Sequence, residues 1–299
     1  MFSLEKFIPI DSNYSFMSLR KAMLLLSSFL IIISILLLII KGLNLGIDFK
    51  GGTLIEVKTK NSNISELRSI LNPSFNNVSL QEFGKNDIII IRVQNKSVSE
   101  NVTTINKVKE LINEKVSEFR RSEFVGPTIS AELLWKGLQA VSFALIAILI
   151  YIWLRFEWQF GFGAVVALTH DVIFTLGILS ILNIEFSLST IAAILTIAGY
   201  SINDSVVIFD RVRENLRKYK KLDLVDLFNV SINNTLSRTL MTSFTTLLAL
   251  ICLFIFGGSV IQPFAFTMII GVIIGTYSSI YVAVPTLLLF KFRPQEDDK

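Results

Sequence analysis

Residues 22–40 read AMLLLSSFLIIISILLLII and contain no charged side chain. The hydrocarbon core of a bilayer is about 30 Å thick, and a helix needs roughly 20 residues to cross it. This run therefore has the length of a membrane span. Five further apolar stretches have a similar length, and they occupy residues 137–154, 160–181, 188–209, 236–256 and 263–290. The sequence predicts a polytopic α-helical membrane protein with six transmembrane helices.

The composition of the chain agrees with this class. Of the 299 residues, 52% are hydrophobic and only 17% are charged, and the mean hydropathy is +0.61. A soluble domain carries about 25% charged residues. The ionisable side chains within the six stretches are His170, Asp171, Asp204 and Arg238. A cytosolic enzyme, a nucleic-acid-binding protein and a disulfide scaffold are thus excluded as descriptions of the whole chain.

Basic residues in the tails and in the short connections between spans predict the orientation in the membrane. They lie in the segments 1–21, 155–159, 210–235 and 291–299, whereas the short connections 182–187 and 257–262 have neither lysine nor arginine. Because cytoplasmic loops carry an excess of these residues, we expect both termini to be cytoplasmic and residues 41–136 to be periplasmic. The sequence KGLNLGIDF after the first span offers no small-residue cleavage site, so we expect that span to be uncleaved.

Residues 41–136 form the only segment large enough to fold outside the bilayer. Period-two alternation, as in TLIEVKTK (53–60), predicts strands. The predicted strands are 53–60, 78–84, 87–94 and 120–126. Asn63 and Glu66 form a capping box for a first helix, and a second helix is predicted to end near Phe119. The order β-α-β-β-α-β predicts a small ferredoxin-like α+β domain without metal ligands.

Motifs of soluble enzymes are missing from the sequence. There is no GxxxxGK[ST] loop and no HExxH, and a single histidine cannot build a multi-histidine metal site. Hydrolysis by a Ser/His/Asp triad would require His170, which lies halfway through the third span. We therefore predict no catalytic site, no metal and no cofactor.

Ionisable residues inside the spans are the candidates for function, since each costs about 2.5–3.5 kcal/mol on insertion. Asp204 in the fourth span and Arg238 at the start of the fifth have similar predicted depths, and Thr242 lies one turn from Arg238 on the same face. One interpretation is a proton-conducting cleft. There the nearby guanidinium favours the ionised carboxylate, and partial burial favours the neutral acid. The other is a salt bridge that only fixes helix register.

His170, Asp171 and Asn203 are secondary polar candidates. Adjacent residues on a helix point about 100° apart, so at most one of His170 and Asp171 is expected to face a partner squarely. Helix packing and a proton relay both remain open for this pair.

The last span carries a ridge of small residues at every fourth position, namely Gly271, Gly275, Ser279 and Ala283. Small residues let membrane helices approach closely. The ridge is predicted to pack inside the chain's own bundle or, alternatively, against a partner subunit.

Six runs of sequence together resemble the SecD/SecF family of export proteins, and within it the separate SecF type rather than the fused SecDF form. They are LNLGIDFKGGT (43–53), VGPTISAELL (125–134), HDVIFTLG (170–177), GYSINDSVVIFDRVREN (199–215), LSRTLMTSFTTLLAL (236–250) and GTYSSIYVA (275–283). The family's architecture of one span, an external domain and five further spans matches the predicted topology.

The resemblance implies a subunit in the bacterial inner membrane that joins a SecD-like chain and, through it, the SecYEG channel. Its implied task is to use the proton-motive force to promote the translocation of preproteins. The family's transmembrane Asp, Arg and polar residue fall on Asp204, Arg238 and Thr242. Membrane lipids are its surroundings, and neither nucleic acid nor a cofactor is implied.

Two other functions are compatible with these residues. The chain could be half of a proton-driven exporter of small molecules or lipids, of the resistance-nodulation-division type. It could also be a passive assembly factor, for which neutralising Asp204 would be harmless.

Overall fold

The computed structural model describes residues 13–60, 63–75, 78–83, 85–94 and 99–290. Most of the predicted N-terminal tail and the whole C-terminal tail 291–299 lie outside these ranges. The chain divides into two compact units. The membrane unit comprises Met1–Leu43, Val141–Ile184 and Ser189–Lys299, and the sheet unit comprises Asn44–Ala140 and Glu185–Leu188.

The described residues form helices and strands in the following order along the chain. The helices are α1 (Arg20–Ile40), α2 (Ile47–Lys50), α3 (Ile64–Leu71), α4 (Ser99–Ile112), α5 (Pro127–Arg155), α6 (Trp158–Ile181), α7 (Leu188–Lys218), α8 (Leu224–Phe256), α9 (Gly258–Ser278) and α10 (Val284–Leu287). The strands are β1 (Asn44–Leu45), β2 (Gly52–Thr59), β3 (Val78–Phe83), β4 (Lys85–Val93), β5 (Val116–Val125) and β6 (Glu185–Phe186). A π-helical turn, Ser279–Ala283, joins α9 to α10.

Six helices in the described part of the chain are long and apolar enough to cross a membrane, as predicted. Their burial pattern is typical of a lipid environment. The buried residues of α1 are Ser27 and Ser34, while its leucines, such as Leu25, are exposed. In lipid an exposed leucine costs nothing, and small polar residues are instead placed where helices meet. The predicted fold class is confirmed.

The basic and amphipathic segment 210–235 between the fourth and fifth spans is largely helical. Helix α7 continues to Lys218 and α8 begins at Leu224, so only residues 219–223 connect them. The basic run after Asp210 consists largely of good helix formers, which allows α7 to continue. Asp223 then caps α8, because its carboxylate accepts a hydrogen bond from the Val225 N–H at 3.0 Å.

The sheet unit has the predicted β-α-β-β-α-β order. Its antiparallel sheet has the strand order β3-β4-β2-β5, and α3 and α4 supply apolar residues to a core shared with the strands. Asn63 caps α3 as predicted, since its Oδ1 accepts from the Glu66 N–H at 3.0 Å. The predicted end of the second helix near Phe119 is wrong: α4 ends at Ile112, because β5 pairs with β2 from Val116 onward.

A second, two-stranded sheet was not predicted. Strand β1 pairs in parallel with β6, which lies about 140 residues later in the chain. Two further contacts stabilise the segment that contains β6. The Arg92 guanidinium contacts the Glu185 carboxylate at 2.6 Å, and Asp48 Oδ2 accepts from the Leu188 N–H at 2.9 Å.

Candidate functional site

Asp204 is a buried acid in the middle part of α7. Its side chain lies on the inward face of the helix with Ser201 and Ser205, and the residue is only 3% exposed. Its Oδ2 atom is buried and has no hydrogen-bond partner. A buried carboxyl oxygen without a partner lowers the free energy of unfolding, so stability does not explain an acid at position 204.

Arg238 lies on α8 and is exposed. It lines an open, polar cavity of about 380 Å³, together with residues of α7 that include Asn203 and Asp210. No ion pair joins Asp204 to Arg238 within the described residues, although the arginine is the charged group that acts electrostatically on Asp204. The simple salt bridge that the sequence left open is therefore not formed in this conformation.

Thr242 is not brought to this cavity. Its Oγ1 donates to the Thr239 carbonyl at 2.9 Å, within its own helix. Thr239 is instead the threonine that α8 turns inward: it is 2% exposed, and its Oγ1 is buried without a partner. Thr235 lines the cavity beside Arg238. Helix α8 is rotated so that Thr235 lines the cavity and Thr239 faces the interior, and Thr242 does neither.

Asp171 is the centre of a second polar cluster, which lies between three helices. The carboxylate is fully buried on α6. Its Oδ2 accepts from Ser201 of α7 at 2.5 Å and from Ser278 of α9 at 2.7 Å. Its Oδ1 lies 2.9 Å from Nδ1 of His170. Sequence reasoning identified Asp171 and His170 but missed the two serines, whose only signal is that they are polar residues in apolar spans.

A third polar contact links α7, α8 and α9. The Tyr200 hydroxyl lies 3.4 Å from Ser243 Oγ, and Ser243 Oγ lies 2.7 Å from Thr276 Oγ1. Thr276 and Ser278 flank Tyr277 near the end of α9. Residues 200–204 of α7 thus include Tyr200 and Ser201, which contact neighbouring helices, and Asp204, whose Oδ2 atom has no partner.

The ridge of small residues packs inside the chain's own bundle. A Cβ atom added to Gly271 would lie 2.2 Å from Cδ1 of Ile197, and one added to Gly275 would lie 3.1 Å from Cβ of Ser201. Further along, the Ala283 carbonyl approaches Gly163 of α6. Gly271 and Gly275 therefore bring α9 against α7, so this face is occupied by the chain itself.

Two glycines fix the chain where β2 begins. Gly51 and Gly52 have φ angles of 70° and 113°, which residues with a Cβ rarely adopt. A Cβ at Gly52 would also lie 2.5 Å from the Val93 carbonyl oxygen of β4. The glycine pair thus permits a turn and a close approach between the neighbouring strands.

Comparison with known proteins places these features in a family. The family described as "Protein export membrane protein SecD/SecF, C-terminal" matches residues 102–293, and the "SecD/SecF GG Motif" matches residues 36–62, which include Gly51 and Gly52. Protein translocase subunit SecF of Rickettsia rickettsii (strain Sheila Smith) is 43% identical over 293 residues, which cover 96% of this chain and 95% of the relative. SecF of Rickettsia prowazekii (strain Madrid E) is also 43% identical, over 96% of this chain and 94% of that one.

The fold is similar to a solved structure as well. The crystal structure of SecDF, a translocon-associated membrane protein from Thermus thermophilus, superposes with a TM-score of 0.87 at 36% identity and covers 95% of this chain. The chain spans about 40% of the length of that SecDF protein, whereas it matches the Rickettsia subunits almost from end to end. The chain belongs to the SecD/SecF family of protein export membrane proteins, as a separate subunit of the SecF type.

Proposed function

We propose that this chain is the SecF subunit of a protein export machine, and that Asp204 couples proton movement to export. Membership of the family supports the Sec pathway, and the small-molecule exporter is not favoured. The observation that carries the coupling role is the Asp204 carboxyl group, whose Oδ2 atom is buried without a hydrogen-bond partner and on which Arg238 acts electrostatically.

The coupling follows from the distance between α7 and α8. In the arrangement described above no ion pair compensates the buried carboxyl group, so an ionised Asp204 would be costly and the proton is retained. If α8 brings Arg238 against Asp204, the guanidinium stabilises the carboxylate and the proton leaves. Proton binding and helix position therefore bias each other, which is the requirement for a bistable coupling element.

The cavity provides the route for the proton. It is lined by Asn203, Thr235 and Arg238 and by charged residues at the cytoplasmic end expected for α7. Asp204 is not one of its lining residues, so in this proposal a movement of α8 opens the path between the cavity and the acid. The driving force is sufficient in scale, because one charge that crosses about 100 mV releases about 2.3 kcal/mol. Asp204 and Arg238 are the principal pair in this proposal, while Thr242 would line the path only after a rotation of α8.

The chain is proposed to lie in a bacterial inner membrane, with both termini in the cytoplasm and residues 41–136 in the periplasm. The distribution of lysine and arginine supports it. Labelling of single cysteines, introduced after replacement of Cys252 by serine, would test it. A periplasmic label at the exposed position 110 and a cytoplasmic label at position 220 are expected, and the reverse pattern would refute the orientation.

The proposed partners are a SecD-like subunit, the SecYEG channel and the translocating preprotein. Membership of the SecD/SecF family and the match to 40% of SecDF support the first of these. The Gly271–Ala283 ridge is already occupied by α7 and α6, so we place the partner on another face of the membrane unit.

Export into inverted membrane vesicles tests the coupling role. Asp204→Asn keeps the size and polarity of the side chain but cannot release a proton, so the stimulation of export by an imposed proton gradient should be lost. The matched control is Asp226→Asn, since Asp226 is an exposed acid in the first turn of α8 and does not line the cavity. Full gradient-dependent stimulation in Asp204→Asn would instead support a passive assembly role.

A further inference from the structure

We propose that His170 and Asp171 form a second proton-binding site in the membrane unit, and that Nε2 of His170 is the atom that takes up the proton. The inference rests on the proposed function of this unit in proton coupling. It concerns the third span rather than the Asp204 region, and it assigns a chemical task to a buried pair that the coupling scheme above does not use.

The hydrogen bonds around Asp171 determine which nitrogen of His170 is free. Asp171 accepts from the hydroxyls of Ser201 and Ser278 at one oxygen and faces Nδ1 of His170 with the other. A carboxylate that accepts three hydrogen bonds requires the proton of the imidazole to be on Nδ1. The Nε2 atom is then a bare acceptor, and it is buried without a partner.

An unpartnered acceptor in this position is suited to proton uptake. With a neutral ring the pair carries one negative charge, and with a proton on Nε2 it becomes an imidazolium–carboxylate pair without net charge. On uptake an Nε2–H bond forms as a hydronium ion gives up a proton and becomes water, and on release that bond breaks and the proton returns to a water molecule. The hydrogen bonds from Ser201 and Ser278 to Asp171 are retained in both states.

His170 borders a space that can supply such water. It lines a cavity of about 460 Å³ between α1 and α6, to which Ser28, Thr169 and Thr286 also contribute. Most of its lining is apolar, and the hydroxyl groups of Ser28 and Thr286, which donate to carbonyls four residues earlier in the chain, can still accept a hydrogen bond from a water molecule. The cavity is separate from the one that contains Arg238, whose lining residues come from α7 and α8.

The other ionisable groups on the elements packed against the pair are few in the described residues. On α9 and the following π-helical turn they are Tyr277, whose ring lies 6.1 Å from that of His170, and Tyr281 beside it. Helix α1 has basic residues only in its first turn, Arg20 and Lys21, and its Ser27 bonds to the Tyr277 hydroxyl. On α7 the carboxyl group one turn from Ser201 is Asp204, and Asp210 and Glu214 lie further along the helix.

Ser201 connects the two proposed sites. It bonds to Asp171 and lies three residues before Asp204, which places the two side chains on the same face of α7. Gly275 packs directly on Ser201, so a displacement of α7 against α9 must change this bond. A movement that alters the surroundings of Asp204 is therefore expected to alter those of the His170–Asp171 pair.

His170 is the only histidine in the sequence, which permits a direct test. The full chain, purified with an affinity tag that lacks histidine and placed in lipid nanodiscs, is labelled with ¹⁵N-histidine and studied by NMR as a function of pH. At alkaline pH we expect a single neutral form with the proton on Nδ1, and on acidification a transition in which both nitrogens are protonated. A neutral form with the proton on Nε2, or a ring that never becomes doubly protonated between about pH 4 and 9, would overturn the proposal.

Variants test the connection to Asp204. Ser201→Ala and Asp204→Asn should each shift the midpoint of the His170 transition, whereas Ser205→Ala, one turn further on α7, should leave it unchanged. Midpoints that are identical in all variants would refute the coupling. Because these spectra do not depend on export, normal export by Asp204→Asn would refute the proposed function without affecting the assignment of the His170 site.

Discussion

Gly271→Ala tests the close approach of α7 and α9. The added methyl group would lie 2.2 Å from both Cδ1 and Cγ1 of Ile197 and 2.7 Å from its Cγ2. Carbon atoms in contact are normally about 3.5–4.0 Å apart, so the shortfall exceeds about 1 Å. Ile197 is 1% exposed, so it is enclosed by other side chains. The Ile197 side chain or the two helices must therefore shift, at an overpacking cost of about 1–3 kcal/mol.

Gly199→Ala is the matched control, because no atom lies within 4 Å of a Cβ added to Gly199 on α7. Both substitutions gain the same helix propensity, about 1 kcal/mol, so their difference isolates the packing cost. We expect Gly271→Ala to be less stable than Gly199→Ala by about 1–3 kcal/mol when unfolding is measured by steric trapping in bicelles.

The double variant Gly271→Ala with Ile197→Ala provides an independent readout. Removing the Cγ and Cδ atoms of Ile197 leaves room for the new methyl group, so the two substitutions should compensate each other by about 1 kcal/mol or more. Equal stability of Gly271→Ala and Gly199→Ala, or strict additivity in the double variant, would show that these helices do not approach as described.

Two further predictions concern the sheet unit of the full chain. Gly52→Ala should destabilise the pairing of β2 with β4 by about 2–3 kcal/mol, because the residue has a φ of 113° and its Cβ would lie 2.5 Å from the Val93 carbonyl oxygen; hydrogen exchange of the amides in both strands measures this. Glu185→Gln leaves the buried Arg92 guanidinium without its ionic partner and should cost about 3–5 kcal/mol in thermal or denaturant unfolding, whereas Asp87→Asn in an exposed ion pair should cost less than about 1 kcal/mol.

The fold could be predicted largely from local signals. Apolar runs of about 20 residues identify the spans, and the alternation in TLIEVKTK together with the Asn63 cap gives the β-α-β-β-α-β order. The pairing of β1 with β6 could not be predicted in this way. Each strand has two residues, and the contacts that justify them, such as Arg92 with Glu185, join segments that are far apart in sequence.

The candidate site was predictable only in part, for a related reason. Hydropathy alone marks Asp204, Arg238, His170 and Asp171, because a charged group within an apolar span is rare. The partners of these groups depend on how each helix is rotated about its axis. Rotation places Thr239 rather than Thr242 on the inner face of α8, and it brings Ser201 and Ser278 to Asp171. A helical sequence does not encode that rotation locally when most of its residues are apolar.

Proton flux through proteoliposomes tests the central role of Asp204 most directly. The full chain and its SecD-like partner are reconstituted with a pH-sensitive dye inside the vesicles, and a membrane potential is imposed. We expect a proton influx that is lost in Asp204→Asn and retained in Asp226→Asn, in vesicles that contain equal amounts of assembled protein. A flux in Asp204→Asn equal to that of the unmodified protein would contradict the assignment of Asp204 as the coupling residue.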